Sequence, residues 1–233
     1  MTTTEPEIEL PPPAMLFDLD GTLVDSVYQH VIAWRNALHK VGIDLSVWRI
    51  HRRIGMSGGL FVAALQREMG LRLSAEEISE LQALHAQAYR QQADSVRPLP
   101  GAVELLRSLT EWRVPWAVAT SGSMETAGAT LRTLGVPEDV PVITRDVVRR
   151  AKPDPDLFLA AAKRLGVDPR NAMVVGDSVW DMLAARRAGA LGIGLLSGGY
   201  GRDELERAGA YRVYEDPADL LRRVDEIGVR HPI

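Results

Sequence analysis

The sequence predicts an α/β fold: a doubly wound, Rossmann-like parallel sheet forms the core, and a small α-helical domain is inserted into it. Three observations predict this. From residue 97 onward, short apolar runs alternate with helical patterns, which is the mark of βαβ units in a parallel sheet. From Val27 to Val96 there is helical periodicity and no strand signal. The first apolar run enters Asp18-Leu19-Asp20 directly, placing two carboxylates at the end of a buried strand. These patterns divide the chain into a flexible N-terminal tail (1–13), the α/β core (14–26 and 97–233) and a helical insert (27–96).

The elements follow in order. Ala14 to Asp18 reads as a strand, and Gly21-Thr22 turns the chain sharply after Asp20. Tyr28 to Val41 carries Val31, Ile32, Ala33, Trp34, Ala37 and Leu38 at helical spacing, with Gly42 closing the helix. Trp48 to Ile54 forms a short helix, and Leu60 to Met69 a longer one ended by Gly70. Ser74 with Glu77 opens a third long helix through a capping box, and this helix runs to about Ala93. In the core, strands are expected at Val114–Ala119, Val140–Thr144, Ala172–Val175, Ala190–Leu196 and Tyr211–Tyr214. Helices are expected at Met124–Leu134, Pro155–Leu165, Asp181–Ala188 and Ala218–Ile227.

Bulk composition narrows the function. The 233 residues are 46% hydrophobic, enough for a sizeable core. With 27 basic and 31 acidic residues, net −4, the chain has no electrostatic footprint for nucleic acid. It has no cysteine, which excludes disulfides and thiolate metal sites but leaves oxygen-ligated metals open. No apolar run reaches the ~18–20 residues of a membrane span. The start, MTTTEPEIELPPP, lacks the basic and apolar regions of a secretory signal. A soluble cytoplasmic protein with no membrane or nucleic-acid partner is expected; nothing in the sequence fixes an oligomeric state.

Ligands of doubly wound sheets bind at the carboxyl ends of the strands. The first strand ends at Asp18-Leu19-Asp20, the next at Thr120-Ser121-Gly122, and the fourth at Gly176-Asp177-Ser178 with Asp181 beyond; Lys152-Pro153 follows the third. Acids, hydroxyls and a lysine therefore gather on one edge. Asp18, Asp20 and Asp177 are hard oxygen ligands suited to Mg²⁺, which binds one or two carboxylates plus a phosphate. Thr120 and Ser121 are expected at the start of a helix, where a hydroxyl and free amides hold an anion. Lys152 adds positive charge for a phosphoryl group. Asp177 and Asp181, four residues apart, are expected on one face of the following helix, with Asp181 orienting a metal-bound water.

These four stations, in order, resemble the motifs of the haloacid dehalogenase-like superfamily. Asp18-Leu19-Asp20-Gly21-Thr22 is similar to its first motif, Thr120 to its second and Lys152 within Lys152-Pro153-Asp154-Pro155 to its third. Gly176-Asp177-Ser178 with Asp181 is similar to its fourth. The resemblance implies a Mg²⁺-dependent phosphatase for a small phosphorylated metabolite of the phosphoglycolate or sugar-phosphate type. In it Asp18 forms an aspartyl-phosphate, Asp20 serves as acid and base, and Thr120 and Lys152 hold phosphoryl oxygens. The metal set implied is Asp18, Asp20 through its backbone carbonyl, Asp177 and Asp181. Gly21, Thr22, Ser121 and Gly122 are expected to contact substrate beside them. An acid at position 20 speaks against carbon–halogen cleavage, and of the three lysines (Lys40, Lys152 and Lys163) only Lys40 lies in the cap, at the wrong end of its helix for the Schiff-base lysine of phosphonate-cleaving relatives.

The insert resembles the helical cap of phosphoglycolate phosphatases and beta-phosphoglucomutases. His30 falls where the mutase has an active-site histidine, so His30, Arg52 and Arg53 are expected to reach substrate. The mutase's phosphate-gripping arginine falls near Gly58, where this chain has no side chain. Two rival readings stand beside the phosphatase: a mutase-type isomerase that returns the phosphoryl group to sugar, and a non-enzymatic binding relative.

Overall fold

The computed structural model describes residues 13–230. The expected N-terminal tail lies outside these residues except for Pro13. Strand β1 (Ala14–Phe17) starts the core, and a two-stranded antiparallel ribbon of β2 (Val24–Asp25) and β3 (Arg97–Pro98) frames the insert. The core continues through β4 (Trp116–Ala119), β5 (Val142–Ile143), β6 (Ala172–Gly176), β7 (Leu191–Leu195) and β8 (Ala210–Tyr214). The main sheet is parallel throughout, in the order β5-β4-β1-β6-β7-β8. The order reverses direction between β1 and β6, the position where such sheets open a crevice for ligand.

Side-chain alternation along each strand feeds two cores. Met15, Phe17, Trp116, Val118, Met173 and Val175 face one apolar layer. Leu16, Ala117, Ala119, Ala172 and Val174 face the other. Both layers are covered by helices, which is why these strands read as unbroken apolar runs.

The insert contains α1 (Val27–Lys40), α2 (Val47–His51), α3 (Gly58–Met69) and α4 (Ala75–Arg90). It has a core of its own, built on Val31, Trp34, Leu38, Ile50, Phe61, Leu65 and Leu81. The capping box at Ser74 and Glu77 is present: Glu77 N–H donates to Ser74 Oγ (3.2 Å), and Ser74 N–H donates to Glu77 Oε2 (2.7 Å). Core helices α5 (Ala102–Glu111) and α6 (Met124–Thr133) cover the first layer; α7 (Asp156–Leu165) and α8 (Val179–Ala188) cover the second. Helices α9 (Arg202–Ala208) and α10 (Pro217–Arg222) finish the chain.

The structure adds elements to the sequence reading and trims others. Helix α5 is carried by Ala102, Leu105, Leu106 and Leu109, a helical stripe present in the sequence. Helix α9 and the β2–β3 ribbon are too short to give a periodic signal. The expected last helix stops at Arg222, and Val224–Ile227 forms a 3₁₀ turn instead. Leu16 is fully buried beneath α7 and α8, so Leu16→Ala is expected to cost about 3 kcal/mol of unfolding free energy. Urea denaturation of the two proteins measures it.

Candidate active site

Strand pairing assembles the site. Phe17 lies beside Val118 of β4 and Val175 of β6, so Asp18, Thr120 and Asp177 emerge from three adjacent strand ends. The Asp18 N–H donates to Val175 O (2.9 Å) and the Thr120 N–H to Ile143 O (2.9 Å), which locks these ends to their neighbours. Lys152 comes from the loop between β5 and α7, preceding a cis proline, and its side chain is fully buried.

Lys152 Nζ contacts Oδ1 of Asp18 and lies 2.8 Å from Oδ1 of Asp181. Asp177 completes the cluster, accepting a hydrogen bond from Thr22 Oγ1 (2.9 Å). One carboxylate oxygen from each of Asp18, Asp177 and Asp181 lies within 4.8 Å of the others, and all three residues are buried. Three carboxylates thus face one ammonium. Burial pushes the Asp18 carboxyl up to about 7, against the pull of Lys152 and with a further push from Asp181 and Asp20. Burial, then Asp181 and Asp18, lift Asp177 well above the ordinary carboxylate range. Lys152 is raised too, but here the shift favours the charged form: burial works against its charge, and Asp18 and Asp181 outweigh it and hold the ammonium protonated. Excess buried negative charge of this kind fits a hard divalent cation.

Two glycines make the cluster possible. A Cβ on Gly198 would sit 1.7 Å from Asp177 Oδ2. A Cβ on Gly21, whose φ is +84°, would sit 2.5 Å from the same atom. Only bare backbone can approach Asp177 this closely.

Asp20 turns away from the cluster. Its Oδ1 accepts from Ser26 Oγ (2.7 Å) and lies 3.2 Å from Nε2 of His30. Burial pushes its carboxyl up, but His30 and Ser26 outweigh that and hold it below its usual range. An ionised carboxylate only accepts, so its partner His30 Nε2 carries a proton. His30 Nδ1 lies 3.2 Å from Nε2 of His85, and the His30 ring stacks on Tyr89 at 3.9 Å. Burial, then His30 and Arg145, push His85 well below the ordinary histidine range, keeping it neutral.

A cavity of about 100 Å³ opens between this edge and the insert. Asp18, Asp20, Thr120 and Ser121 line its floor, and His30, Arg53 and His85 its roof. Thr120 Oγ1 accepts from Gly122 N–H (2.9 Å), which leaves its own proton to donate. The Ser121 hydroxyl is buried with no hydrogen-bond partner among the described residues, so a ligand can satisfy it.

The structure corrects several placements. The helix after Thr120-Ser121 starts at Met124, capped by Ser123, because Gly122 lengthens the loop. Asp177 is not on the helix that carries Asp181: Ser178 caps α8 and Asp181 closes its capping box. The two acids meet because Asp177 ends β6 while Asp181 turns back under it. Arg52 does not reach the cavity. It pairs with Glu204 of α9, its guanidinium lies 4.1 Å from the Tyr200 ring centroid, and it ties insert to core. Arg53 lines the cavity, but its charge is met by Glu68. Sequence reasoning missed His85, Arg145 and Gly198. For His85 a signal existed: it stands four residues after Leu81 and four before Tyr89, on the buried stripe of α4. Gly198 gives no local signal.

A haloacid dehalogenase-like hydrolase family model matches residues 12–189, and the chain belongs to that family of enzymes. Hexitol phosphatase A of Escherichia coli (strain K12) is 35% identical over 177 residues, 75% of this chain and 78% of that protein. Phosphoglycolate phosphatase of Rhodospirillum rubrum is 33% identical over 218 residues, 90% of this chain and 89% of that one. The crystal structure of a hydrolase from Pseudomonas syringae superposes with a TM-score of 0.91 at 53% identity, covering 93% of this chain and all (100%) of that one. Among the described residues no helix is long and apolar enough to cross a membrane.

The buried acids have a consequence for stability. Between pH 3.8, the ordinary value for Asp18, and about 7, the folded chain holds a proton that the unfolded chain has lost. The Asp18 contribution to the stability of cation-free protein should therefore fall as pH rises through that window, while His85, held below its ordinary value of 6.5, contributes with the opposite sign. Asp18→Asn should melt above wild type in chelator near pH 8, by an amount on the order of 1 kcal/mol, and the gap should close near pH 4. Thermal melts across pH with chelator present check this.

Proposed function

We propose that the protein is a Mg²⁺-dependent phosphatase that hydrolyses a small phosphorylated metabolite through an aspartyl-phosphate on Asp18. The observation that carries the reading is the meeting of Asp18, Asp177, Asp181 and Lys152 at adjoining strand ends, directly below a cavity that Asp20 also lines. The relatives' names point the same way, to phosphatases of a hexitol phosphate and of phosphoglycolate.

The buried carboxylates Asp18 and Asp177, with the backbone carbonyl of Asp20, would hold Mg²⁺. Asp181, already engaged by Lys152 and Ser178, would orient the ion's water. When bound, Mg²⁺ supplies positive charge that keeps Asp18 ionised and offsets charge on the phosphoryl oxygens. In the first half-reaction an Asp18 carboxylate oxygen attacks phosphorus. The bond from phosphorus to the ester oxygen breaks, and that oxygen leaves as the alcohol with a proton from Asp20. Asp20 rests ionised here, facing the N–H of His30, and takes up a proton from solvent before the ester oxygen leaves. In the second half-reaction Asp20 removes a proton from water, which attacks phosphorus. The bond to Asp18 breaks, releasing inorganic phosphate, and Asp20 returns its proton to solvent, which restores both carboxylates. Thr120, Ser121 and Lys152 donate to the phosphoryl oxygens, and Gly122 lines the cavity without a side chain to obstruct it; Gly21 and Thr22 do not line the cavity and pack against Asp177 instead.

Residues 27–96 act as a cap that closes over the site, restricts substrate to small esters and keeps bulk water from the intermediate. A mutase-type isomerase would keep the phosphoryl group on a bisphosphate rather than release it, and a non-enzymatic relative would turn over no ester.

A phosphate-release screen over sugar, polyol and acid phosphates with Mg²⁺ tests the reading. Wild type should release phosphate from at least one class. Asp18→Asn should lose at least ~10³-fold in kcat, as expected when a covalent nucleophile is removed. Wild-type turnover in Asp18→Asn would exclude Asp18 as the nucleophile.

A further inference from the structure

We infer that Arg145 recognises a second anionic group on the substrate, so that this enzyme prefers small acid phosphates to neutral polyol phosphates. The inference rests on the phosphatase reading above and deepens it.

The cavity has two arginines on its wall, Arg53 and Arg145, and only the first is spent. Arg53 donates to Glu68 and to the carbonyl of Arg49. Arg145 makes no side-chain hydrogen bond among the described residues. Its Nε stands 3.9 Å from Asp146 Oδ1, beyond hydrogen-bond reach. The orientation of Asp146 is fixed through its other oxygen, Oδ2, which accepts from Met124 N–H (2.8 Å) and Thr144 Oγ1 (3.2 Å). The remaining acid on that wall, Glu125, pairs with Arg90. A cavity-facing guanidinium with no carboxylate hydrogen-bonded to it is a ready anion site.

The loop around Arg145 is held, and the roof leaves room for its side chain. The Arg145 N–H donates to Gly122 O (3.1 Å), joining this residue to the loop of Thr120 and Ser121. The guanidinium reaches across to the insert, where Nη1 stands 3.5 Å from the position a Cβ on Gly58 would take, beside Trp34 and Gln82. Gly58 has no side chain to fill that space. A substrate whose phosphoryl group rests among Asp18, Thr120 and Ser121 thus presents its far end to Arg145. A carboxylate or second phosphate there gains a charge-assisted hydrogen bond; a hydroxymethyl group does not. Burying Arg145 against a neutral ligand would leave its charge unanswered, which adds to the discrimination.

The test compares matched pairs that differ only in the distal group: 2-phosphoglycolate with 2-hydroxyethyl phosphate, and 6-phosphogluconate with sorbitol 6-phosphate. In wild type, kcat/KM should favour the acid on the order of tenfold to a hundredfold at one chain length or both, the worth of one charge-assisted hydrogen bond. Arg145→Ala should lower that ratio about tenfold or more; Arg145→Lys, which keeps the charge should truncation unsettle the loop, should lower it less. The same pairs are titrated by calorimetry into Asp18→Asn with and without Arg145→Ala, Mg²⁺ present, so binding is read without turnover. If no ester is hydrolysed but the acid binds tighter through Arg145, the phosphatase reading fails and this one stands. No preference for the acid at either length, or a ratio unchanged in Arg145→Ala because both substrates fall together, overturns it.

Discussion

The structure depends on one crowded electrostatic arrangement: a buried ammonium, Lys152, against the carboxylates of Asp18 and Asp181, with Asp177 alongside. Leaving polar groups unpaired in an interior is costly, and leaving charges unpaired costs more. This chain keeps three acids and one base together because each is fixed by an element it cannot easily leave. Asp18 and Asp177 end β1 and β6, Asp181 is locked in the α8 capping box, and Lys152 is enclosed between β5 and α7. The apolar layers on both faces of the sheet supply the stability that carries this cost, and the parallel strand order puts it all on one edge.

The insert is joined to the same cluster through a glycine. His51 Nε2 and the carbonyl of Gly198 lie 2.8 Å apart, while the α-carbon of Gly198 packs against the Asp177 carboxylate. Trp180 Nε1 and the Tyr200 hydroxyl both donate to the carbonyl of Arg52, at 3.3 and 2.9 Å. With the Arg52–Glu204 pair, these contacts form a seam on one side of the site, and His30 and His85 bring the insert to Asp20 on the other. The position of the insert is therefore tied to the cluster at Asp177 and to the carboxylate of Asp20.

Much of this was legible in the sequence, for a physical reason. A buried parallel strand must be apolar along its length, so Asp18, Thr120 and Asp177 stand out as the first polar residues after such runs. Strand-end geometry then gathers them without knowledge of any contact. Helix-start chemistry was less exact: Thr120 and Asp177 were read as parts of the following helices, but Ser123 and Ser178 are the caps. What the sequence could not show depends on long-range contact. Arg52 and Arg53 look alike in the chain, but one meets Glu204 across the seam and the other Glu68 within the insert. Arg145 is one more loop residue in the sequence until the fold brings it opposite Gly58. Gly198 matters only because Asp177, 21 positions earlier in the chain, folds against it.

The central claim is that excess negative charge in this cluster is balanced by a divalent cation resting on Asp177. Melting temperature measured against Mg²⁺ concentration near neutral pH, for wild type and Asp177→Asn, tests it most directly. The account predicts that Mg²⁺ raises the wild-type melting temperature in a saturable way, because the ion binds the folded chain alone, and that Asp177→Asn loses most of this rise. An equal rise in both proteins, or none in wild type, would contradict it.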